Sequence, residues 1–234
     1  MKSGFIKLVI VLVLGGTQLV VAQKSQKREV SAFTEVSLRI GANVHLKQGN
    51  TQSVEVKADE ATLAKLVTEV KNRSLVIKFP AETWFSKWNP GRVDIYLTMP
   101  QVDALTISGS GSIVSDKEIE SRILNLLISG SGDIKLPDLK AEKVMATLSG
   151  SGNIQLSSGK SADEFKATVS GSGNVKAIDF RAGMVDVKIS GSGNCWVNPE
   201  KNLVARLSGS GNIIYRGDPL VDSNISGSGK VKKE

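Results

Sequence analysis

The sequence predicts an all-β protein, a right-handed parallel β-solenoid (β-helix) with coils of about 20 residues. Its main signal is the tetrapeptide Ser-Gly-Ser-Gly, which occurs seven times, beginning at Ser108, Ser129, Ser149, Ser170, Ser190, Ser208 and Ser226. Apolar and polar residues alternate on both sides of each copy, which is typical of strands with one buried face. A unit this short cannot bury its apolar face alone, so the units are expected to stack. The right-handed coiling of the solenoid is predicted from the preference for right-handed connections between parallel strands.

Each copy is predicted to be a tight bend between two strands, because glycine adopts positive φ cheaply and lets neighbouring backbones approach closely. A propeller fits less well, since each blade needs about 40 residues. The predicted structural turns use fourteen glycines: Gly109, Gly111, Gly130, Gly132, Gly150, Gly152, Gly171, Gly173, Gly191, Gly193, Gly209, Gly211, Gly227 and Gly229. Stacking would also align the polar residue after each bend into an Asn ladder of Asp133, Asn153, Asn174, Asn194 and Asn212.

The first 22 residues are predicted to be a cleaved secretory signal peptide. Lys2 and Lys7 accompany an apolar run at 8–14, and Val20-Val21-Ala22 supplies a small-residue cleavage site. The apolar run is far shorter than the roughly 20 residues that span a bilayer, so a cleaved signal is favoured over an uncleaved anchor. The protein is therefore expected to be exported to the periplasm or cell surface, without a transmembrane domain after cleavage.

The remaining chain divides into a linker at 23–29, a divergent N-terminal portion of the solenoid at 30–100, and the repeat solenoid at 101–234. In the divergent portion, period-two alternation predicts strands over Ser53–Ala58, 75–79 and 92–99.

A short amphipathic helix is predicted within residues 59–71. Leu63, Leu66, Val67 and Val70 recur there at helical spacing. This helix is expected to cover the edge of the first coil, and the basic C-terminal tail at 230–233 is expected to discourage addition of strands at the other edge.

Composition excludes several kinds of site. The 234 residues contain one histidine, His45, and one cysteine, Cys195, so neither a His/Cys metal cluster nor an intrachain disulfide can form. Cys195 occupies the aliphatic position of its repeat and is predicted to be a small buried hydrophobe. The formal net charge is +7, but no basic patch is interleaved with aromatic residues, so no nucleic-acid partner is expected.

The glycine-rich bends do not predict a nucleotide or calcium site. A phosphate-binding loop would be followed by a helix, whereas these bends are followed by strands. Calcium-binding β-rolls use shorter, acid-rich repeats, and here only Asp133 places an acid in the ladder. No metal and no cofactor are predicted.

The best candidate binding residues are Trp84, Phe85 and Trp88, which lie in a Pro- and Gly-punctuated segment of a chain with only 5% aromatic residues. If exposed, their rings would stack on sugars or anchor a partner. The alternative, which is favoured, is that they fold back and cover the first coils.

The chain resembles the family of exported bacterial proteins described as "putative auto-transporter adhesin, head GIN domain". The resemblance is carried by Phe33-Thr34-Glu35-Val36, by 41–46 (GANVHL), by 54–56 and 75–77, and by the Ser-Gly-Ser-Gly-Asn bends. It covers roughly residues 30–230, and Ala42 stands where the motif that names the family has isoleucine. The resemblance implies a β-solenoid-like surface or periplasmic protein without an assigned catalytic residue.

Three functions follow as hypotheses. The leading one is an exported, non-enzymatic adhesin-like protein that presents a repetitive polar surface to a polysaccharide or envelope component. The alternative is a periplasmic scaffold or envelope-stress protein that binds a protein partner. The third, a polysaccharide-active enzyme, is disfavoured because the acids between the bends occupy differing repeat positions. The Ser and Asn rows would either bind sugar hydroxyls or act as internal ladders, and the oligomeric state is left open.

Overall fold

A computed structural model describes residues 23–85 and 88–234, which form the predicted β-solenoid of about six turns. The predicted signal peptide, residues 1–22, lies outside the described residues. Among the helices that are described, none is long and apolar enough to cross a membrane.

Strands dominate the described chain, interrupted by two short helices. In chain order the elements are β1 (Lys24–Lys27), β2 (Glu35–Leu38), β3 (Asn43–Gln48), β4 (Ser53–Ala58), α1 (Glu60–Lys65), β5 (Val67–Lys71), β6 (Ser74–Lys78), a 3-10 helix (Ala81–Phe85), β7 (Asp94–Met99), β8 (Ala104–Gly109), β9 (Ser112–Ser115), β10 (Ile119–Gly130), β11 (Asp133–Leu136), β12 (Leu139–Gly150), β13 (Asn153–Ser157), β14 (Ala162–Gly171), β15 (Asn174–Gly191), β16 (Asn194–Gly209), β17 (Asn212–Tyr215), β18 (Leu220–Ser226) and β19 (Lys230–Lys233).

Two walls of stacked strands meet at the bends. The A-face holds the strands that lead into the bends, in the order β5, β6, β2, β8, β10, β12, β14, β15, β16, β18. The B-face holds the strands that follow them, in the order β1, β4, β7, β3, β9, β11, β13, β15, β16, β17, β19. Both β15 and β16 are long enough to run through both walls. Successive bends stack in register, so that Ser129 lies between Ser108 and Ser149.

The first coil, made of β2 and β3, does not lie at the end of the solenoid. After β3 the chain moves outward, where β6 and β7 pair with the outer edges of β2 and β3. It then returns as β8 and β9 along their inner edges. Three antiparallel strands, β5, β4 and β1, close this end. The segment 23–29, predicted to be a linker, thus contributes β1 to the cap.

The helix predicted within residues 59–71 is shorter in the structure. It begins after Asp59, whose Oδ1 accepts a hydrogen bond from the Thr62 backbone N–H at 2.8 Å, and it ends at Lys65. The following residues form β5 instead, in a hairpin with β6 whose turn places Asn72 and Arg73 at positive φ. Valines suit a strand, and two consecutive positive-φ residues are typical of a hairpin turn, so strand pairing overrides the helical spacing.

Inward-facing aliphatic side chains fill the interior between the two walls. The residues directly before the first six bends, such as Leu148, are almost completely buried. Phe165 and Phe180 meet edge to face in this core, with ring centroids 5.6 Å apart. Cys195 is buried, as predicted, and its burial raises the pKa of the thiol well above the ordinary value.

Candidate binding surface

The most regular surface of the solenoid is a ribbon of serine side chains along the bends. All of its members are exposed, and within the described residues none of their hydroxyls is hydrogen-bonded to another protein group. With about 4.8 Å between neighbouring strands, seven coils extend this ribbon over about 29 Å. We call it the serine ribbon: Ser108, Ser110, Ser129, Ser131, Ser149, Ser151, Ser170, Ser172, Ser190, Ser192, Ser208, Ser210, Ser226 and Ser228.

Glycine allows these bends to stack closely. The first glycine of every copy has a φ between +118° and +142°, a region that side chains disfavour. The second glycine faces the preceding coil; a Cβ on Gly173 would lie 2.5 Å from the Gly152 carbonyl oxygen. Backbone hydrogen bonds continue through the bends, as where the Ser172 N–H donates to the Gly150 carbonyl at 2.9 Å. The bends are therefore a hydrogen-bonded continuation of the two walls.

The Asn ladder lies beside the serine ribbon, on the outer side of the B-face. Each amide Nδ2 donates to the side-chain oxygen one coil nearer the N-terminus, at 2.8 to 3.2 Å. The series ends on the carboxylate of Asp133, which accepts from Asn153. The ladder side chains thus form hydrogen bonds with one another, whereas the hydroxyls of the serine ribbon are available to solvent or to a ligand.

A shallow groove beside the C-terminal part of the serine ribbon carries two cations, Lys188 and Arg206, which we call the basic flank. They are register neighbours on the outer side of the A-face. Arg206 Nη1 lies 3.6 Å from Asp186 Oδ1, and Lys166 Nζ lies 3.8 Å from Asp186 Oδ2. Lys166, Lys188 and Arg206 thus exceed the neighbouring carboxylates, Asp186 and Asp222, by one charge, which gives this part of the A-face a small positive excess. The groove has a volume of about 240 Å³, and carbon atoms form most of its accessible surface. It is lined by Lys188, Ile189, Ser190, Arg206, Leu207, Ser208, Asn224 and Ser226.

The candidate aromatic residues lie in the N-terminal cap. Trp84 and Phe85 end the 3-10 helix, and their side chains lie outside the described residues. Trp88 is half-buried; its ring meets Phe79 edge to face at 4.9 Å, and Lys65 Nζ lies 4.3 Å from its centroid. Phe79 in turn packs on the core. Trp88 therefore contributes to cap packing.

Replacing Trp88 with alanine is expected to lower stability without weakening ligand binding at the bends. Loss of a half-buried indole and its Phe79 contact should cost about 2 kcal/mol, less than the cost for a fully buried tryptophan. Thermal unfolding followed by circular dichroism should then show a midpoint lower by about 5 °C. An unchanged midpoint together with lost binding would mean that Trp88 is a ligand contact.

A second groove lies over β3, β7 and β4. His45 and Tyr96 are register neighbours whose rings stack with centroids 4.7 Å apart, and Lys57 Nζ lies 4.5 Å from the Tyr96 centroid. Asp94 Oδ1 is 3.7 Å from His45 Nε2. Burial alone would raise the pKa of Asp94, but hydrogen bonds, led by that from Arg92, outweigh it and lower the pKa. The Tyr96 ring is thus contacted by His45 on β3 and by Lys57 on β4, the two strands that flank β7. These contacts within the protein account for the position of the ring.

Acidic residues do share one groove, of about 310 Å³, on the side of the solenoid away from the bends. Glu120, Glu142 and Asp163 line it, and Lys140 and Lys160 line it with them. The carboxylates are thus interleaved with cations, which makes a charge-balanced polar surface instead of an isolated pair of carboxyl groups.

Two of these features were not predicted from the sequence. The basic flank has a clear signal, since the residue two positions before each copy changes from threonine at 147 and 168 to Lys188 and Arg206. The His45–Tyr96 stack has none, because β3 and β7 are distant in sequence and share no repeat.

Comparisons with known proteins agree with this architecture. A family model described as "Putative auto-transporter adhesin, head GIN domain" matches residues 32–219. A "putative adhesin" from Bacteroides fragilis has the same fold, with a TM-score of 0.83, 20% identity, and coverage of 91% of this chain and 97% of that one. A "putative lipid binding protein" from Parabacteroides distasonis gives a TM-score of 0.77 and 25% identity at the same coverages.

A "putative adhesin" from Parabacteroides merdae gives a TM-score of 0.74 and 21% identity, over 91% of this chain and 96% of that one. No curated protein is significantly similar in sequence. Because the family model spans most of the chain, this protein belongs to the family described as "putative auto-transporter adhesin, head GIN domain".

Proposed function

We propose that this protein is an exported, non-enzymatic binding protein whose serine ribbon and basic flank bind an acidic polysaccharide. The observation that carries the proposal is the run of exposed serine side chains along about 29 Å of the solenoid edge. A polymer with hydroxyls at regular intervals is a ligand that can contact several coils at once.

Regular repetition matters because each contact is weak. A hydrogen bond that replaces one with water contributes only about 1 kcal/mol net. A polymer that engages successive coils makes each later contact intramolecular, so modest contacts combine into useful avidity. A short oligosaccharide is therefore expected to bind much more weakly than the polymer.

The basic flank supports the acidic character of the ligand. Lys188 and Arg206 stand directly beside Ser190 and Ser208, so a carboxylate or sulfate on a sugar would meet a cation while its hydroxyls meet the ribbon. Arginine also matches a carboxylate with a bidentate geometry. These charges are exposed, so binding should weaken as salt screens them.

Replacing both cations, as Lys188→Gln with Arg206→Gln, is expected to weaken binding to polygalacturonate about fivefold, since two exposed ion pairs contribute about 1 kcal/mol together. Titration calorimetry on the mature chain would measure this loss. The charge-matched control is Lys143→Gln with Lys201→Gln, because Lys143 is paired with Glu164 at 2.7 Å and Lys201 lies outside the groove lining.

Three arms of the same experiment separate the possible sources of anionic groups. Binding of polygalacturonate supports the proposal. Binding confined to vesicles of anionic phospholipid would overturn it in favour of a lipid ligand, as the description of the "putative lipid binding protein" from Parabacteroides distasonis would suggest. Equal binding of neutral dextran and polygalacturonate would remove the role of the basic flank.

Export and location form a separate step of the proposal. The basic and apolar pattern of residues 1–22 and membership of an adhesin family both support export. Protease treatment of intact cells, with a periplasmic marker as control, tests exposure at the surface. Degradation of the mature protein while the marker survives supports adhesion, and protection until the outer membrane is opened supports a periplasmic scaffold instead.

A further inference from the structure

The C-terminal coil differs from every coil before it in how its inward side chains are covered. In β18, Val221, Ser223 and Ile225 stand in register with Leu203, Ala205 and Leu207 of β16. Those three residues of β16 are at most 3% exposed, whereas Val221 is 42% and Ile225 43% exposed. The end of the hydrophobic core is therefore open to solvent at this coil.

The backbone of this coil is also open. One edge of β18 pairs with β16, and within the described chain its other edge pairs with no strand. Unpaired edges of this kind are templates for addition of another strand. Within the described residues, β1 and β5 at the opposite end also have an unpaired edge, but β1 is entirely polar and the valines of β5 are half-buried. Exposed apolar side chains accompany the free edge at the C-terminal coil.

Charge distinguishes the two strands of the C-terminal coil. On the B-face, β19 carries Lys230, Lys232 and Lys233, and lysines on an edge strand oppose the addition of another strand. On the A-face, β18 contains a single charged residue, Asp222. The edge of β18 is therefore the one that a second copy is expected to use.

The sequence of β18 is self-complementary about Ser223. In an antiparallel pair centred there, Val221 meets Ile225 of the other copy, and Asp222 meets Asn224. Both apolar pairs lie on the inward side and continue the core across the contact, and the carboxylate faces an amide. A register centred on Asp222 would place two carboxylates directly opposite each other, which is destabilising.

We propose that the C-terminal coil is the interface of a two-fold symmetric homodimer, in which β18 pairs antiparallel with β18 of a second copy about Ser223. Such an interface is isologous, so it closes on itself and occupies the free edge of β18 in both copies. It is smaller than a standard interface, and the dissociation constant is expected to lie in the micromolar range.

Sedimentation velocity across a concentration series tests the association directly. The proposal predicts a monomer–dimer equilibrium without larger species, because the edge of β18 can pair with only one other edge. A protein that stays monomeric at the highest concentration, or one that forms a continuous series of larger species, would overturn the proposal.

Substitution separates this interface from the rest of the surface. Ile225→Lys is expected to give a monomer with a nearly unchanged thermal midpoint, because Ile225 is already 43% exposed. The matched control is Leu127→Lys, a residue 40% exposed on the outer side of the A-face, which should leave the dimer intact. Dimer loss in both variants or in neither would contradict the assignment.

Cross-linking fixes the register independently of affinity. At the two-fold axis, Ser223→Cys places two thiols on directly opposed residues, whose Cα separation of about 4.5–5.5 Å permits a disulfide. Ser226→Cys would pair with position 220 of the other copy and should not cross-link. Rapid disulfide dimer formation by the first variant alone supports the register. Equal cross-linking of both, or none in either, argues against it.

Discussion

Replacing Gly171 with alanine is expected to destabilise the protein by about 3 kcal/mol. Gly171 sits in the middle bend at a φ of +118°, and a Cβ there would lie 2.5 Å from the carbonyl oxygen of Gly150. Alanine would therefore be unfavourable for two reasons. Its Cβ would overlap the backbone of the preceding coil, which cannot move aside as a side chain could, and its φ would lie in a region that alanine disfavours. The backbone hydrogen bonds from Ser172 and Gly173 to the same carbonyl would be stretched as the coils separate.

The expected measurement is a thermal midpoint about 10 °C below that of the natural chain, followed by circular dichroism. The control is Gly159→Ala, because Gly159 lies in a turn where a Cβ would meet nothing within 4 Å and φ is not in the positive range. That variant should be neutral or slightly stabilised, since alanine restricts the unfolded chain. Equal losses in both variants would show that the bends are not closely stacked.

Replacing Phe165 with alanine is expected to cost about 4 kcal/mol, the second large effect. Phe165 is fully buried, stands between Val144 and Val185 in the A-face register, and contacts the ring of Phe180. Truncation removes the transfer free energy of the ring and leaves a cavity that the hydrogen-bonded walls cannot collapse into.

Phe165→Leu is the graded comparison and should cost a smaller part of that amount, because it retains most of the buried volume. Urea unfolding at equilibrium measures both variants, with a check that two spectroscopic probes give the same transition. Similar losses for alanine and leucine would point to loss of aromatic pairing with Phe180 as the main effect instead of the cavity.

The repeat region was predictable from sequence because every coil needs buried aliphatic residues on both sides of a glycine bend. An aliphatic residue, a Ser-Gly-Ser-Gly bend and a polar–aliphatic pair recur at nearly constant spacing, and the register of stacked strands follows from that spacing alone. The strands at 53–58, 75–79 and 92–99 were also recovered, within two residues, by their alternation. Residues 59–71 were harder, since Val67 and Val70 satisfy both a helical and a strand pattern, and only the hairpin with β6 decides between them.

The candidate binding residues were less predictable for a related reason. The sequence does not show whether the Ser or the Asn side chains form hydrogen bonds between neighbouring coils. In the structure the Asn ladder forms these bonds, and the serine side chains are left exposed. Trp88 was a candidate because aromatic residues are rare in this chain. Its contacts with Phe79 and Lys65 could not be predicted, because these residues lie outside the repeats. Of the two features that were missed, the basic flank at Lys188 and Arg206 could have been found by aligning the copies.

The position of the first coil inside the solenoid has a consequence for the order of folding. Residues 24–99 already contain both partners of every strand pair in the cap, together with the outer edges of β2 and β3. This segment can therefore mature first and offer the inner edges of β2 and β3 as a template. The coil of β8 and β9 would add first, across a separation of 69 residues from β2 and β3. Each coil after it would add to an edge about 20 residues behind it, so loop closure stays short from that step onward. Growth would then run in one direction, from cap to C-terminus, in the same order as synthesis.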